Sequence, residues 1–289
     1  MRRLSIQNIV SRAIAVAGLL ALSPALPAQN APNTANRMAS TTTTTATSPD
    51  LEPAAMNALK AMSSQISAAN NFSFTAHITR EEPGTNGQML DFFRTIRVQV
   101  QRPDKIRFQV QSDTTDMTLW CDGRTITLMP TSGKIYTTLA AGGNLDATLA
   151  ILKNQVHTHT PLAPFLISDP FTRLADGLRS ANEVGIDNDG NAQYLHLAFT
   201  EPDANWQLWL SGPNQVLPRR MAIVYKTIPG EPRVMVDFSD WNLNAEVPAD
   251  AFVFSKPAGA VSVGWQAVQP RAFPNSSANP NGGARQGGN

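Results

Sequence analysis

The chain has 289 residues, only 16% of them charged, and a net charge of +1 at pH 7. So near-neutral a chain lacks the basic footprint that nucleic-acid binding requires. A single cysteine, Cys121, excludes an intrachain disulfide, and it stands too far from the N-terminus to carry a lipid there.

Residues 1–28 are expected to be a cleaved export signal. Arg2, Arg3 and Arg12 form a positive start, Ala13 to Leu22 a short apolar run, and small residues lead to Ala28. As a helix that run would span roughly 15 Å, about half the hydrocarbon thickness of a bilayer, so cleavage is favoured over a permanent anchor. Cleavage after Ala28 removes three arginines and no acid, which takes the net charge from +1 to −2. The expected location is the periplasm, as a soluble, non-lipidated protein. Residues 29–49 read as a disordered threonine-rich tether, with threonine at every position from 41 to 45, and residues 266–289 as a disordered tail. Residues 50–265 are left as one domain.

That domain opens with a predicted helix. Ser48-Pro49 fits a cap followed by proline, and Leu51, Ala55, Leu59, Met62, Ile66 and Ala69 recur at helical spacing before Asn70-Asn71 ends it. Phe72, Phe74, Ala76 and Ile78 then alternate with polar residues, as a half-buried strand does. After a turn at Gly84–Gly87, Leu90, Phe92, Arg94, Ile96, Val98 and Val100 alternate until Pro103, and Ile106, Phe108 and Val110 resume the pattern. Met117–Cys121 and Thr125–Leu128 flank Asp122-Gly123, a hairpin signal. Leu145–Val156 and Leu162–Leu178, the latter interrupted at Asp169-Pro170, read as short helices. Trp206, Leu208 and Leu210, then Met221, Ile223 and Tyr225, then Val234, Val236 and Phe238 return to strand alternation. The expected fold class is mainly β with helices (α+β): a strongly curved antiparallel sheet, an incomplete β-barrel, covered by a helical lid.

Four segments in order carry a resemblance: Phe72-Ser73-Phe74-Thr75; Gln101 through Phe108 (QRPDKIRF); Cys121-Asp122-Gly123-Arg124-Thr125; and Phe252-Val253-Phe254 with Pro257-Ala258-Gly259. Together they make the chain resemble the LolA/LolB superfamily of periplasmic lipoprotein carriers, and more closely the periplasmic family of domain of unknown function 2092. The resemblance implies a concave apolar surface closed by a helical lid. It also implies an arginine just before the strand-breaking proline that bonds to the lid and holds it shut, which here is Arg102. The residues allow that role. Arg94 and Arg102 share parity with the apolar side of their strand, and an inward-facing arginine needs a carbonyl or acidic partner. The plainer alternative leaves Arg102 at a sheet margin with its head in water. Phe92, Phe108, Trp206, Leu208 and Phe238 are the expected cleft wall, and Leu149, Leu152, Phe165 and Leu166 the lid contacts. The chain departs from the small carriers in its longer middle, residues 140–180, and in its two tails, so the fold transfers more safely than lipoprotein transport itself.

No serine-hydrolase elbow, H-E-x-x-H pair or glycine-rich phosphate loop occurs. His157 and His159 could hold a metal if both pointed one way, but loop histidines are the simpler reading. Cys121 reads as a small buried hydrophobe, Lys105 and Arg107 as a solvated face, and Asp169-Pro170 as a helix start. Trp120, Trp206, Trp209, Trp241 and Trp265, with Phe72, Phe74, Phe92, Phe108, Phe199 and Phe238, could line a pocket or form an ordinary core. The expectation is a non-enzymatic, monomeric binder or carrier with no cofactor and no metal. Its partners would be a lipid or the acyl chain of a lipidated protein, and an inner- or outer-membrane protein. The alternative is a sensor or interaction module of the same fold with no small ligand.

Overall fold

The computed structural model describes residues 49–264, except residues 85, 114–115, 157–160, 213–215 and 249. Ser48, His157, His159, Trp265 and the expected signal, tether (apart from Pro49) and tail segments lie outside the described residues.

In chain order the elements are β1 (Asp50–Leu51), α1 (Pro53–Ser67), β2 (Asn71–Pro83), β3 (Met89–Gln101), β4 (Lys105–Ser112), β5 (Met117–Asp122), β6 (Thr125–Pro130) and β7 (Ile135–Ala140). There follow α2 (Leu145–Val156), a 3-10 turn (Ala163–Phe165), α3 (Pro170–Ala175), β8 (Ser180–Asp189), β9 (Ala192–Thr200), β10 (Ala204–Leu210), β11 (Pro218–Tyr225), β12 (Arg233–Asn242) and β13 (Val261–Ser262). All strands join one 13-stranded sheet in the order β1-β8-β9-β10-β11-β12-β2-β3-β4-β5-β6-β7-β13. Its two ends are two-residue strands paired in parallel, β1 on β8 and β13 on β7, and every other pairing is antiparallel. The sheet stays open, and such short edge strands offer little template for another chain.

This order explains the lid. β7 lies near one edge and β8 near the other, so the connection between them must travel across the sheet. That connection, residues 141–179, carries α2, the 3-10 turn and α3 over the concave face. Its apolar residues Leu145, Leu149, Leu152, Leu162, Phe165, Leu166 and Leu174 are buried in the same core cluster as the inward strand residues.

The first helix begins later than its sequence pattern suggests. Pro53, which needs no backbone donor and has a helical φ, takes the first helical position. The residues before it pair instead with β8, through Asp50 N to Arg179 O at 2.9 Å and Glu52 N to Ala181 O at 2.8 Å, and Leu51 is left exposed. Ala55, Leu59, Met62 and Ile66 keep the apolar stripe buried. Each large side chain there contributes about 1.5–3 kcal/mol.

Two local devices set the register. In β12 the pairing with β2 shifts between Ser239 and Asn242, and Asp240 sits at φ 55. This bulge brings Phe238 and Trp241, three apart in sequence, to one face, where both rings pack on Phe74 at 5.9 and 4.3 Å. At the β5–β6 hairpin the loop residues are Gly123-Arg124, one position beyond the expected pair. Asp122 Oδ1 accepts hydrogen bonds from Arg124 N and Thr125 N, at 2.9 and 2.7 Å. Gly123 has φ 94, and a Cβ there would lie 2.3 Å from Asp104 Oδ2.

The cross-strand register separates the aromatic residues. Phe72, Phe74, Phe92, Phe108, Trp206 and Phe238 face the concave side. Trp120 and Trp209 have the opposite parity and lie on the convex side, so they line no concave pocket. Trp120 packs against Phe254 of the C-terminal segment, and Trp209 stacks on His196 at 4.2 Å. Arg107, opposite Trp120, lies half-buried beside that ring and not in a freely solvated row.

Candidate functional site

β2 and β3 pair without interruption from Asn71–Gln101 to Pro83–Met89, so parity is unbroken along the centre of the sheet. The inward residues of β3 record how far the lid reaches. Val100 is 0% exposed, Val98 1%, Ile96 6% and Leu90 40%. On β4, Ile106 is fully buried while Phe108 and Val110 are half-buried. The concave face is therefore packed solid at the Pro103 end and opens toward the β2–β3 turn.

At the closed end, the β3–β4 turn carries Arg102. Its Nε donates to Ala69 O at 3.2 Å, just beyond α1. Its Nη1 donates to Leu166 O at 3.3 Å and its Nη2 to Ile167 O at 3.1 Å, both in the lid. The guanidinium also lies 5.4 Å from the ring centroid of Phe72. Burial pushes its pKa down and the carboxylate of Asp146 pushes it back up. Asp146, in the first turn of α2, accepts from Ser168 N at 2.8 Å and from the Ser168 hydroxyl. These bonds tie α2 to the segment after the 3-10 turn, so the carbonyls that Arg102 grips belong to one lid unit. Leu145 N donates to Pro103 O at 2.8 Å and anchors the start of α2 to the same turn.

The expected wall residues divide between two environments. Trp206, Leu208 and Phe238 are buried to 3% exposure or less, and Phe165 of the lid meets Phe238 edge-on at 5.2 Å. The Trp206 indole N–H donates to Glu201 Oε1 at 2.7 Å. Phe92 and Phe108 lie toward the open end and keep some exposure. Of the lid residues, Phe165 and Leu166 are fully buried, and Leu149 and Leu152 nearly so. Arg94 faces the concave side opposite Ile78, at the open end. Arg80, on β2 with the same parity, was not anticipated, although continuing the Phe72–Ile78 alternation by one step would have placed it inward. Asp146 and Ser168 were also missed, because one acid in a first helical turn carries no sign of what it will bind.

Cys121 is buried beneath the lid, with its thiol donating to Asp104 O at 3.5 Å. Burial, before any other effect, raises its pKa. Among the described residues no three His, Cys, Asp or Glu side chains gather as metal ligands, and no helix is long and apolar enough to cross a membrane. A groove of about 820 Å³ is lined by Ala68–Asn71 and Leu243–Pro248, beside the Ala69 and Asn70 carbonyls that accept from Arg102.

The profile of a family described as "Predicted periplasmic protein (DUF2092)" matches residues 55–265, most of the chain and all of the sheet from α1 onward. The chain belongs to this family. No curated protein matches the sequence. Among solved structures, the family member is similar to lipoprotein LppX of Mycobacterium tuberculosis at 11% identity, covering 68% of this chain and 100% of that one, with a TM-score of 0.43. It is similar to LprF of Mycobacterium bovis at 13% identity, covering 74% and 100%, with a TM-score of 0.40. A LolA superfamily protein from Nitrosomonas europaea is similar at 10% identity, covering 68% and 97%, with a TM-score of 0.35.

Proposed function

We propose that this protein is an exported, non-enzymatic binder or carrier of an amphiphile, such as a lipid or the acyl chain of a lipidated protein, held on the concave face under a hinged lid. The observation that carries this reading is the grip of Arg102 on the carbonyls of Leu166 and Ile167. A cation bonded to neutral carbonyls can let go without leaving a counter-charge stranded, because both sides regain water on opening. A lid fixed for stability alone needs only the apolar contacts it already has.

Under that lid the apolar surface of β2, β3, β4, β10 and β12 would receive a hydrocarbon chain in place of Phe165 and its neighbours. Each methylene buried there contributes about 0.8 kcal/mol, so about a dozen supply affinity without specific polar recognition. Arg102 acts as the latch, Phe92 and Phe108 as the part of the wall reached first, and Trp206, Leu208 and Phe238 as the part uncovered when the lid lifts. The solid packing at the closed end favours a second reading, an interaction module whose interior holds no ligand.

Native mass spectrometry of the exported protein purified without detergent, with lipid extraction of the same sample, separates the two. A bound species of lipid mass is the expected result. A ligand-free mass that persists after incubation with phospholipid and lipopeptide would replace the carrier reading with the interaction module.

A further inference from the structure

The open end of the concave face holds two arginines that no part of the latch uses. Arg80 on β2 pairs across with Phe92, and Arg94 on β3 pairs across with Ile78. The two are diagonal neighbours on the same face, about 7–8 Å apart at their Cα atoms, within reach of one small group. Arg80 forms an ion pair with Glu82. Arg94 has no hydrogen-bond or ion-pair partner among the described residues, and its surroundings are Phe92, Ile96, Val110 and the inward side of Ser112. Arg94 therefore presents a cation without a counter-charge of its own to an apolar trough. Burial and the charge of Arg94 push Arg80 down to about 10, and burial lowers Arg94 as well. Tyr225 completes the rim near Arg80, which counters part of the upward push that burial gives the phenol.

A half-buried guanidinium without a partner is costly, and a second cation beside it makes it more so. An incoming anion relieves both at once. We infer that Arg80 and Arg94 form a headgroup site for an anionic oxygen group, carboxylate or phosphate, of an amphiphile whose hydrocarbon chain runs along the concave face toward Arg102. This deepens the amphiphile-binding reading and rests on it. Guanidinium suits the task because its planar fork can donate two parallel bonds to a carboxylate or phosphate. The polarity of the trough is right as well. Between Arg94 and Arg102 the strand runs for eight residues, roughly 26 Å, with Ile96, Val98 and Val100 as the inward residues in between. The charged end is also the exposed end, so the head would remain near water and the chain would enter first.

The test compares four single-chain probes with the same sixteen-carbon tail: palmitate, hexadecyl phosphate, monopalmitoylglycerol and hexadecyltrimethylammonium. Dissociation constants are read by tryptophan fluorescence and calorimetry below micelle-forming concentrations. The anionic probes should bind about tenfold or more tightly than the neutral one, and the cationic probe should bind worst. Palmitate against hexadecyl phosphate separates a carboxylate from a phosphate source. In Arg94→Gln the anionic advantage should vanish while the neutral probe binds as before, and Arg94→Lys should keep part of it. If Arg94→Gln does not fold, raising salt in the wild-type protein gives the same readout, since it weakens anionic binding selectively. Affinity for monopalmitoylglycerol equal to that for both palmitate and hexadecyl phosphate would overturn the headgroup site while leaving amphiphile binding intact. Failure of all four probes to bind would overturn both.

Discussion

In the proposed latch, Arg102 holds the closed state through its bonds to Ala69, Leu166 and Ile167. Its three donors reach three carbonyls in two separate segments, so replacing it removes bonds that no neighbour can supply. Hydrogen bonds from a charged group are worth about 1.5–3 kcal/mol each, less where water can compete. Arg102→Leu should therefore leave the sheet folded and lower the free energy of lid opening by about 2 kcal/mol, a factor of roughly 30 in opening. Cys121 gives an independent reading of the same closed state. Its thiol is buried with a raised pKa, so a thiol reagent at pH 8 should react negligibly with native protein and fully in denaturant. Because the folded pKa lies above the ordinary value, this group favours the native state below that value and loses the contribution as pH rises through the folded pKa. Arg102 could be anticipated from the sequence because parity and the following proline both mark it. Its acceptors could not, since backbone carbonyls carry no residue-type signature.

At the scale of the element, β2 to β6 and β10 to β12 were legible from the sequence, whereas β7, β8 and β9 were not read, although Leu195, Leu197 and Phe199 of β9 alternate clearly. β2 to β5 and β10 to β12 follow their apolar pattern because one face is the more deeply buried, while β6 is buried on both faces from Ile126 to Pro130. β8 was missed because it is an outlying strand with most of its residues exposed, Val184 and Ile186 among them, so burial imposes no period on it. The Asp240 bulge was equally hidden, since it makes residues three apart share a face where period two predicts the opposite. Two substitutions test these devices. Gly123→Ala puts a Cβ against the Asp104 carboxylate at a positive φ and should cost about 1–3 kcal/mol in chemical denaturation. Phe238→Ala removes the ring shared by Phe74, Trp241 and Phe165 and should cost about 3–5 kcal/mol, with the lid loosened along with the sheet.

For the whole molecule, the decisive feature is a topology that sends one connection from edge to edge across an open sheet. That path places α2, the 3-10 turn and α3 over the concave face, where they are fastened at one end by Arg102, Asp146 and Leu145 and leave the other end uncovered. The sequence pattern indicates a curved sheet and a helical insertion, but strand order depends on pairings far apart in the chain, which periodicity does not encode. In the proposed carrier, an amphiphile would enter from the uncovered end and displace the lid progressively toward the latch. Hydrogen–deuterium exchange of wild-type protein and Arg102→Leu, each with and without palmitate, examines this most directly. Arg102→Leu should speed exchange in the described parts of residues 145–178 by roughly 30-fold while β2, β3 and β12 stay protected, and palmitate should alter exchange in the lid of both proteins. Lid exchange untouched by the substitution and by palmitate, or exchange that rises equally across lid and sheet, would contradict a latched lid over a ligand-binding face.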